Sequence, residues 1–283
     1  MKREEIHIEW TFRLFAFSSL LFLFLILFFI LFEGSPLLYK VGLRSVLLEQ
    51  RWAPTKGSFG ILPMVVSSFL VTFGALCLGA PLGLFCAIFL SEYASRSVRM
   101  VLKPTLELLA AIPSVVYGFM GVVYLVPIVR EYLGGPGFSL LTTSLVLGIM
   151  ILPTITSISF DAMQSVPGPF REGSYAMGAT RWQTIWRITL PSARSGIVAG
   201  FILGMGRAIG ETMAVIMVAG NALSIPKGLL EPLRTLTGNI ALELAYATGE
   251  HRSALFTTGV ILLLIIMIFN SVANFVVKKR IVR

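Results

Sequence analysis

The residue types that stand out for their chemistry are Arg207 and Glu211, because the segment GRAIGETM that holds them is flanked by apolar residues. A guanidinium carries five donors in a planar fork that matches the oxygens of an oxyanion. A glutamate four residues further along a helix would lie on the same face and would balance the arginine charge. The pair therefore predicts either an oxyanion site or a buried ion pair that only fixes helix register.

The residues before this pair indicate where the two side chains point. Gly196, Gly200 and Gly204 recur at four-residue intervals and lead directly into Arg207. Small residues allow the backbone of a second helix to approach closely. A charge at the centre of a bilayer costs about 2.5–3.5 kcal/mol, and such residues usually serve a function. We therefore expect Arg207 and Glu211 to face a helix seam or cavity and to line a substrate path.

The surrounding segments are typical of a membrane protein. Hydrophobic residues make up 56% of the 283 residues and charged residues 13%, whereas soluble proteins carry about 25% charged residues. A membrane-spanning helix needs about 20 apolar residues. Six windows meet this length: Leu14–Phe32, Met64–Leu90, Leu108–Val129, Phe138–Phe160, Gly196–Gly220 and Ala254–Val277. The sequence therefore predicts an all-α membrane protein with six transmembrane helices.

The basic residues predict the orientation of these helices. The larger share of the Lys and Arg residues outside the windows lies on the side that carries both chain ends, and such residues favour the cytoplasmic side. We therefore expect both ends to be cytoplasmic and the loops of residues 33–63 and 221–253, each broken by prolines, to face outward. The net charge of +9 is spread over short loops, so it does not indicate nucleic-acid binding.

The long loop after the fourth window has the pattern of two short helices. Residues 171–177 allow two helical turns, and Gly178 predicts a left-handed cap after them. Thr180 or Ala179 then leads into a second short helix, RWQTIWRITL, which we expect Pro191 to end. This pattern fits an amphipathic element at the membrane surface or a docking site for a cytoplasmic partner.

The spacing within this loop resembles the EAA motif of ABC importer permeases. The matching positions are Glu172, Gly173, Ser174, Gly178, Ile188, Leu190 and Pro191, with glycine and serine in place of the two alanines. Longer stretches, including LELLAAIPSVVYGFMGVVYLVP and GRAIGETMAVIMVAGN, are similar to the PstC-type permease family of bacterial phosphate ABC importers. The similarity runs from about Trp52 to the sixth window. It implies the type I ABC importer permease fold, with the matching loop positions coupling to an ATPase.

The resemblance also implies a function and partners. The chain would be a permease subunit that forms the path for inorganic phosphate and leaves ATP hydrolysis to a partner, since the sequence has no G-x-x-x-x-G-K-[ST] loop. Its partners would be a second related permease, two ATP-binding cassette ATPase subunits, an extracytoplasmic phosphate-binding protein and membrane lipid. No catalytic residue, cofactor or metal is implied. A PstA-type sister permease, a permease for another oxyanion and a proton-coupled transporter that uses Glu211 are the alternatives.

The resemblance further predicts how the chain is divided and where it resides. We expect an N-terminal transmembrane helix and outer loop in residues 1–63. A permease core would occupy residues 64–283 and include the cytoplasmic coupling loop, residues 163–194. The protein would be a multi-pass component of a bacterial inner membrane.

Overall fold

The computed structural model describes the backbone of residues 2–281 and the side chains of residues 9–272. Within this part of the chain, six helices are long and apolar enough to cross a membrane. They are Glu9–Val41, Leu62–Tyr93, Ser114–Tyr132, Leu140–Gln164, Arg181–Gly210 and Gly249–Val272. The all-α fold and the six spans predicted from hydropathy are therefore confirmed.

Shorter elements join these spans, and some spans are composed of more than one helix. The helices are α1 (Lys2–Val41), α2 (Leu43–Leu48), α3 (Leu62–Ile88), α4 (Arg96–Ala111), α5 (Ser114–Met120), α6 (Val126–Tyr132), α7 (Leu140–Gln164), α8 (Gly168–Ala176), α9 (Arg181–Thr184), α10 (Leu190–Gly210), α11 (Met213–Val218), α12 (Leu236–Glu243) and α13 (Gly249–Ile281). The strands β1 (Trp52–Ala53) and β2 (Ser58–Phe59) form a small antiparallel hairpin around the 3-10 turn Pro54–Lys56. Turns of π-helix extend α3 (Phe89–Tyr93), join α5 to α6 (Gly121–Leu125) and join α9 to α10 (Ile185–Thr189).

The centre of the bundle is α7, on which α3 and α10 pack through glycines. A Cβ atom placed at Gly79 of α3 would lie 2.7 Å from the carbonyl oxygen of Gly148 in α7. A Cβ atom placed at Gly204 of α10 would lie 2.8 Å from Cγ1 of Ile155, a fully buried residue of α7. The glycine face predicted for the fifth span thus lies against a helix of the same chain, since glycine lets the backbones approach.

The helix α1 lies at the edge of the bundle and pairs with α13. Its phenylalanines and leucines are exposed along most of its length, as expected of a lipid-facing helix. Close to its end, Thr257 of α13 donates a hydrogen bond to the carbonyl oxygen of Gly34 (2.7 Å). The helix continues through Pro36 to Val41, so residues 33–41 of the predicted first loop are helical.

The third and fifth windows read from the sequence are not continuous helices. In the third, α4 ends at Ala111, and Ile112 and Pro113 are extended before α5 begins. Proline disfavours a helical conformation in the residue before it, which explains this break. In the fifth, α10 ends at Gly210, and α11 begins only at Met213.

The two long loops, residues 33–63 and 221–253, are held together by the buried carboxylate of Glu243. Its Oε1 atom accepts a hydrogen bond from Arg234 (2.7 Å), and its Oε2 atom accepts one from the indole of Trp52 (2.8 Å). The His251 Nε2 atom lies 2.8 Å from the same Oε2 atom. Because Trp52 belongs to the first loop and the other residues to the second, Glu243 joins both loops into one surface.

The packing of α3 on α7 generates a stability prediction. The change Gly79→Val places a side chain against the Gly148 carbonyl, which cannot move without shifting α7. Overpacking of this kind costs about 1–3 kcal/mol, so we expect a lower Tm of the detergent-solubilised protein. Gly259→Val is the matched control in α13, because a Cβ atom there meets only Ile30, at 3.9 Å. An equal Tm for the two variants would contradict the close approach of α3 and α7.

Candidate functional site

The side chain of Arg207 joins three helices in the interior of the bundle. It lies in the last turn of α10, half-buried. Its NH1 atom donates to the hydroxyl of Thr154 in α7 (3.2 Å), and its NH2 atom donates to the carbonyl oxygen of Ala110 in α4 (3.3 Å). The position follows from Gly204, one turn earlier, because that glycine brings α10 close to α7.

The carbonyl that Arg207 binds is available because α4 ends beside it. The last carbonyls of a helix have no intrahelical donor and carry the negative end of the helix dipole. Here Ala110 binds the guanidinium of Arg207, and the hydroxyl of Tyr117 donates to the carbonyl oxygen of Leu109 (2.7 Å). The break at Pro113 therefore creates part of the Arg207 site.

Glu211 is not where a continuous helix would place it. Its backbone is extended (φ −69°, ψ 133°), and its Oε1 atom accepts a hydrogen bond from the backbone N–H of Ala214 (3.2 Å), at the start of α11. Its carbonyl oxygen accepts one from the Thr237 hydroxyl (2.8 Å). The expectation that Glu211 lies one turn beyond Arg207 on the same helix is wrong, because the carboxylate binds a free N–H at a helix start instead.

The charge of Arg207 consequently has no carboxylate partner in the part of the chain whose side chains are described. Among the side chains that the structure describes, no acidic oxygen lies within 4.0 Å of the Arg207 nitrogens. The groups it does contact, a hydroxyl and a carbonyl, are neutral. A guanidinium held by two neutral acceptors keeps its positive charge and further N–H donors for an anion. Of the two roles considered for this residue from sequence, this geometry favours the anion site over the ion pair.

A cavity of about 530 Å³ lies beside this region but has a different chemistry. It is lined by apolar and aromatic side chains of α5, the adjoining π turn and α7, such as Val116, Met120 and Ile149. Such a surface offers an anion almost no donor. It suits contact with apolar side chains or lipid, so the candidate anion site is the Arg207 guanidinium alone.

The 163–194 segment folds as two short helices with a tight turn, as predicted. Gly178 follows α8 with φ +83°, its N–H bonds to the carbonyl of Tyr175 (2.9 Å), and the N–H of Ala179 bonds to that of Ser174 (3.1 Å). These are the two bonds of a Schellman motif, which glycine favours. Thr180, one of the two starts considered, caps α9 in a capping box with Gln183.

The positions that match the EAA spacing divide into an exposed group and a half-buried group. Glu172, Gly173, Gly178 and Pro191 are exposed, whereas Ser174, Ile188 and Leu190 are half-buried. The Ser174 hydroxyl lies 2.9 Å from that of Thr184 and so joins α8 to α9. Aromatic and apolar side chains project from the same segment: Phe170, Tyr175, Met177, Trp182 and Trp186.

Pro191 does not end the second short helix. Helical structure is continuous over Arg181–Gly210, because the π turn Ile185–Thr189 directly precedes α10 and Pro191 occupies one of its first positions. A widened turn accommodates a proline that lacks an N–H and would crowd a regular helix. The same arrangement recurs where the π turn Gly121–Leu125 precedes Pro127.

The sequence analysis did not identify Thr154 and Ala110 as the partners of Arg207. Thr154 belongs to a group of hydroxyl residues that more often bind their own backbone, and a backbone carbonyl such as that of Ala110 gives no sequence signal. In the described residues, no group of three or more His, Cys, Asp or Glu side chains is placed to hold a metal.

Comparison with known proteins identifies the family. Residues 79–282 match the family model described as binding-protein-dependent transport system inner membrane component. The chain is 43% identical over 251 residues to the probable ABC transporter permease protein YqgH of Bacillus subtilis (strain 168), covering 87% of this chain and 81% of that protein. It is 35% identical over 255 residues to the phosphate transport system permease protein PstC of Pasteurella multocida (strain Pm70), covering 83% and 80%.

Solved structures show the same fold at low sequence identity. One is a bacterial alginate ABC transporter in complex with alginate pentasaccharide-bound periplasmic protein, with 16% identity, a TM-score of 0.64 and coverage of 94% of this chain and 95% of that chain. Another is the methionine ABC transporter MetNI in inward-facing conformations, with 19% identity, a TM-score of 0.59 and coverage of 81% and 99%. The chain is a multi-pass membrane protein that belongs to the family of binding-protein-dependent transport system inner membrane components.

Proposed function

We propose that this chain is the permease subunit of an ATP-driven phosphate importer and that it forms the path for inorganic phosphate. The observation that carries the proposal is the Arg207 guanidinium, which is held between α4, α7 and α10 with no carboxylate partner among residues 9–272. The similarity to the protein named phosphate transport system permease protein PstC supports phosphate as the anion. An ATPase partner performs the hydrolysis.

The chemistry of Arg207 suits transit better than tight binding. A path must bind an ion well enough to admit it and weakly enough to release it. Arg207 supplies one cation, since its neighbours Thr154 and Ala110 add no charge. A guanidinium is also weakly hydrated, which lowers the cost of exchanging water for the anion. Glu211 directly follows the last residue of α10 and, in this proposal, offsets part of the charge of the path without forming an ion pair with Arg207.

The 163–194 segment is the proposed contact with the ATPase. Its exposed aromatic and apolar side chains, together with the exposed Glu172 and Gly178, form a surface suited to a protein groove. Because Arg181–Gly210 is one continuous helix, the second half of the segment and Arg207 belong to the same helix, which is about 45 Å long at 1.5 Å per residue. Movement of the segment would therefore reach Arg207 directly.

The remaining partners follow from the family and from the loop surface. We propose a second, related permease, two ATP-binding cassette subunits and a binding protein that docks on the two long loops. Glu243 joins these loops into one surface, and the alginate transporter was solved with a periplasmic protein bound. In this arrangement both chain ends and the 163–194 segment are cytoplasmic, in a bacterial inner membrane. The core comprises residues 64–283, and the family match from residue 79 supports that division.

The coupling role predicts the effect of a change at Gly178. The variant Gly178→Leu forces a side chain into a left-handed conformation that costs about 1–2 kcal/mol and distorts the turn between α8 and α9. We expect normal membrane insertion but loss of phosphate uptake. Gly134→Leu is the control, because Gly134 has the same left-handed conformation (φ +82°) and no atom within 4 Å of a Cβ position but lies outside the 163–194 segment. Normal uptake by Gly178→Leu would count against the coupling assignment.

The path role predicts a graded series at Arg207. Arg207→Lys keeps the charge but loses the fork, so phosphate uptake should fall about tenfold or more, since hydrogen bonds to charged groups contribute about 1.5–3 kcal/mol. Arg207→Gln should abolish uptake. Glu211→Gln should impair uptake. Because the amide oxygen of the glutamine can still accept the hydrogen bond from Ala214, this decrease in uptake would result from the loss of the negative charge. Uptake is measured in cells and normalised to membrane-inserted protein.

Two controls separate transport from structure in this series. Arg130→Gln removes an arginine that donates to the carbonyl of Pro136, so it reports the effect of losing a carbonyl-binding arginine elsewhere. The double variant Arg207→Gln with Glu211→Gln removes both charges. Near-normal uptake by the double variant would show that the two residues are structural.

Competition by sulfate or molybdate as strong as that by phosphate would favour a permease for another oxyanion.

A further prediction concerns the affinity of the chain by itself. With one cation at the path, the purified permease should bind phosphate only weakly, and the binding protein supplies the capture step. Equilibrium binding of radiolabelled phosphate to detergent-solubilised protein tests this. A Kd at or below about 1 μM, equivalent to about −8 kcal/mol, would contradict the proposal that the binding protein, and not the permease, captures phosphate.

A further inference from the structure

The π turn Phe89–Tyr93, at the end of α3, carries a buried carboxylate that the sequence reading did not single out. Glu92 is 8% exposed, and its Oε1 atom lies 3.1 Å from the NH2 atom of Arg171 in α8. The hydroxyl of Ser91 donates to the same oxygen (3.1 Å). Arg171 also donates to the carbonyl of Met163 (2.7 Å). Because a buried carboxylate is strongly destabilising without its partner, Glu92 holds α8 in place.

The other helix of the 163–194 segment contacts the same turn. The guanidinium carbon of Arg181, at the start of α9, lies 5.0 Å from the centroid of the Tyr93 ring, which is a cation–π contact. The hydroxyls of Ser174 and Thr184 join the two helices. The segment therefore contacts α3 as one unit, through an ion pair from α8 and a ring contact from α9.

The turn is also tied to the rest of the bundle. Arg99 of α4 donates to the carbonyls of Leu90 (3.1 Å) and Ser91 (2.9 Å). Gln164, at the end of α7, donates to the Ser91 hydroxyl (3.0 Å). The negative end of α3 thus attracts cations from neighbouring helices. Displacement of the turn would move α3, which packs tightly on α7 through Gly79.

We propose that Glu92 is a positioning residue that transmits movement of the 163–194 segment to α3. This inference rests on the proposed function, in which ATPase subunits move that segment. It gives the chain a second mechanical route in addition to the continuous helix that leads to Arg207. The first route moves α10, and the Arg171–Glu92 pair makes α3 move with it. Without the pair, ATP hydrolysis continues but fewer anions cross for each ATP.

The experiment uses the complete transporter, purified with its partner subunits and reconstituted in vesicles with binding protein and phosphate. It measures ATP hydrolysis and phosphate uptake for the wild type, Glu92→Gln, Arg171→Gln and the double variant. We expect the ATP hydrolysed per phosphate to rise about tenfold in each single variant, within the 5- to 150-fold range of coupling between sites. The double variant should resemble the single variants, because two residues that act as a unit are not additive.

Control variants separate this role from folding. Asp161→Asn removes one charge of the exposed pair with Lys103, which joins α7 to α4 and belongs to neither α8 nor α9, and should leave the ratio unchanged. Tyr93→Leu removes the ring contact on a half-exposed residue and should raise the ratio by a smaller factor, whereas Tyr93→Phe keeps the ring and should not. These two variants keep the test valid should the buried charge variants fail to assemble.

The outcomes distinguish this inference from the proposed function. Failure of the wild-type chain to co-purify with ATPase subunits or to transport phosphate would overturn the proposed function itself. With a working wild type, an unchanged ratio in Glu92→Gln and Tyr93→Leu would overturn only the transmission role. Equal loss of ATP hydrolysis and uptake in both variants would also overturn it, since that result indicates failed docking instead of failed transmission.

Discussion

The structure depends on one constraint, the satisfaction of backbone carbonyls where helices break inside or beside the membrane. With little or no water available, an unpaired carbonyl there costs free energy. Arginine side chains meet this need repeatedly: Arg207 binds Ala110, Arg99 binds Leu90 and Ser91, Arg171 binds Met163, and Arg234 binds Asn221. In each case the cation also complements local negative charge from free carbonyls. Helix breaks therefore leave free carbonyls, and arginine side chains satisfy them.

This constraint also distinguishes Arg207 from Arg171 and Arg234. Arg171 and Arg234 each pair with a buried carboxylate, Glu92 and Glu243 respectively, so their charges are neutralised inside the protein. Arg207 contacts only neutral acceptors among the described residues. The interaction thus stabilises structure at Arg171 and Arg234, where a carboxylate is present, and in the proposed function it leaves the charge of Arg207 for an anion. In the proposed function, an oxyanion is the partner that completes the Arg207 site.

The architecture connects that site to both ends of the protein. At one end, the 163–194 segment continues into the helix that carries Arg207 and contacts the end of α3. At the other end, α12 links the Glu243 cluster to the Glu211 break, because Thr237 near its start donates to the Glu211 carbonyl and Glu243 is its last residue. The helix break at residues 211–212 therefore lies between the loop surface and the segment proposed to contact the ATPase.

The sequence by itself determined the features that depend on composition and local pattern. Hydropathy predicted six spans, glycine spacing predicted a close helix seam beside Arg207, and Gly178 predicted a left-handed cap, because each follows from the residues within one segment. Tertiary structure decided the features that depend on contacts between segments. Glu211 lies outside the helix that periodicity assigned to it, and its carbonyl binds Thr237 of α12. Arg207 binds Thr154 and Ala110, which belong to two other helices. These outcomes have a common physical reason: at membrane depth each polar group binds the nearest available partner, and the packing of distant segments decides which partner is near.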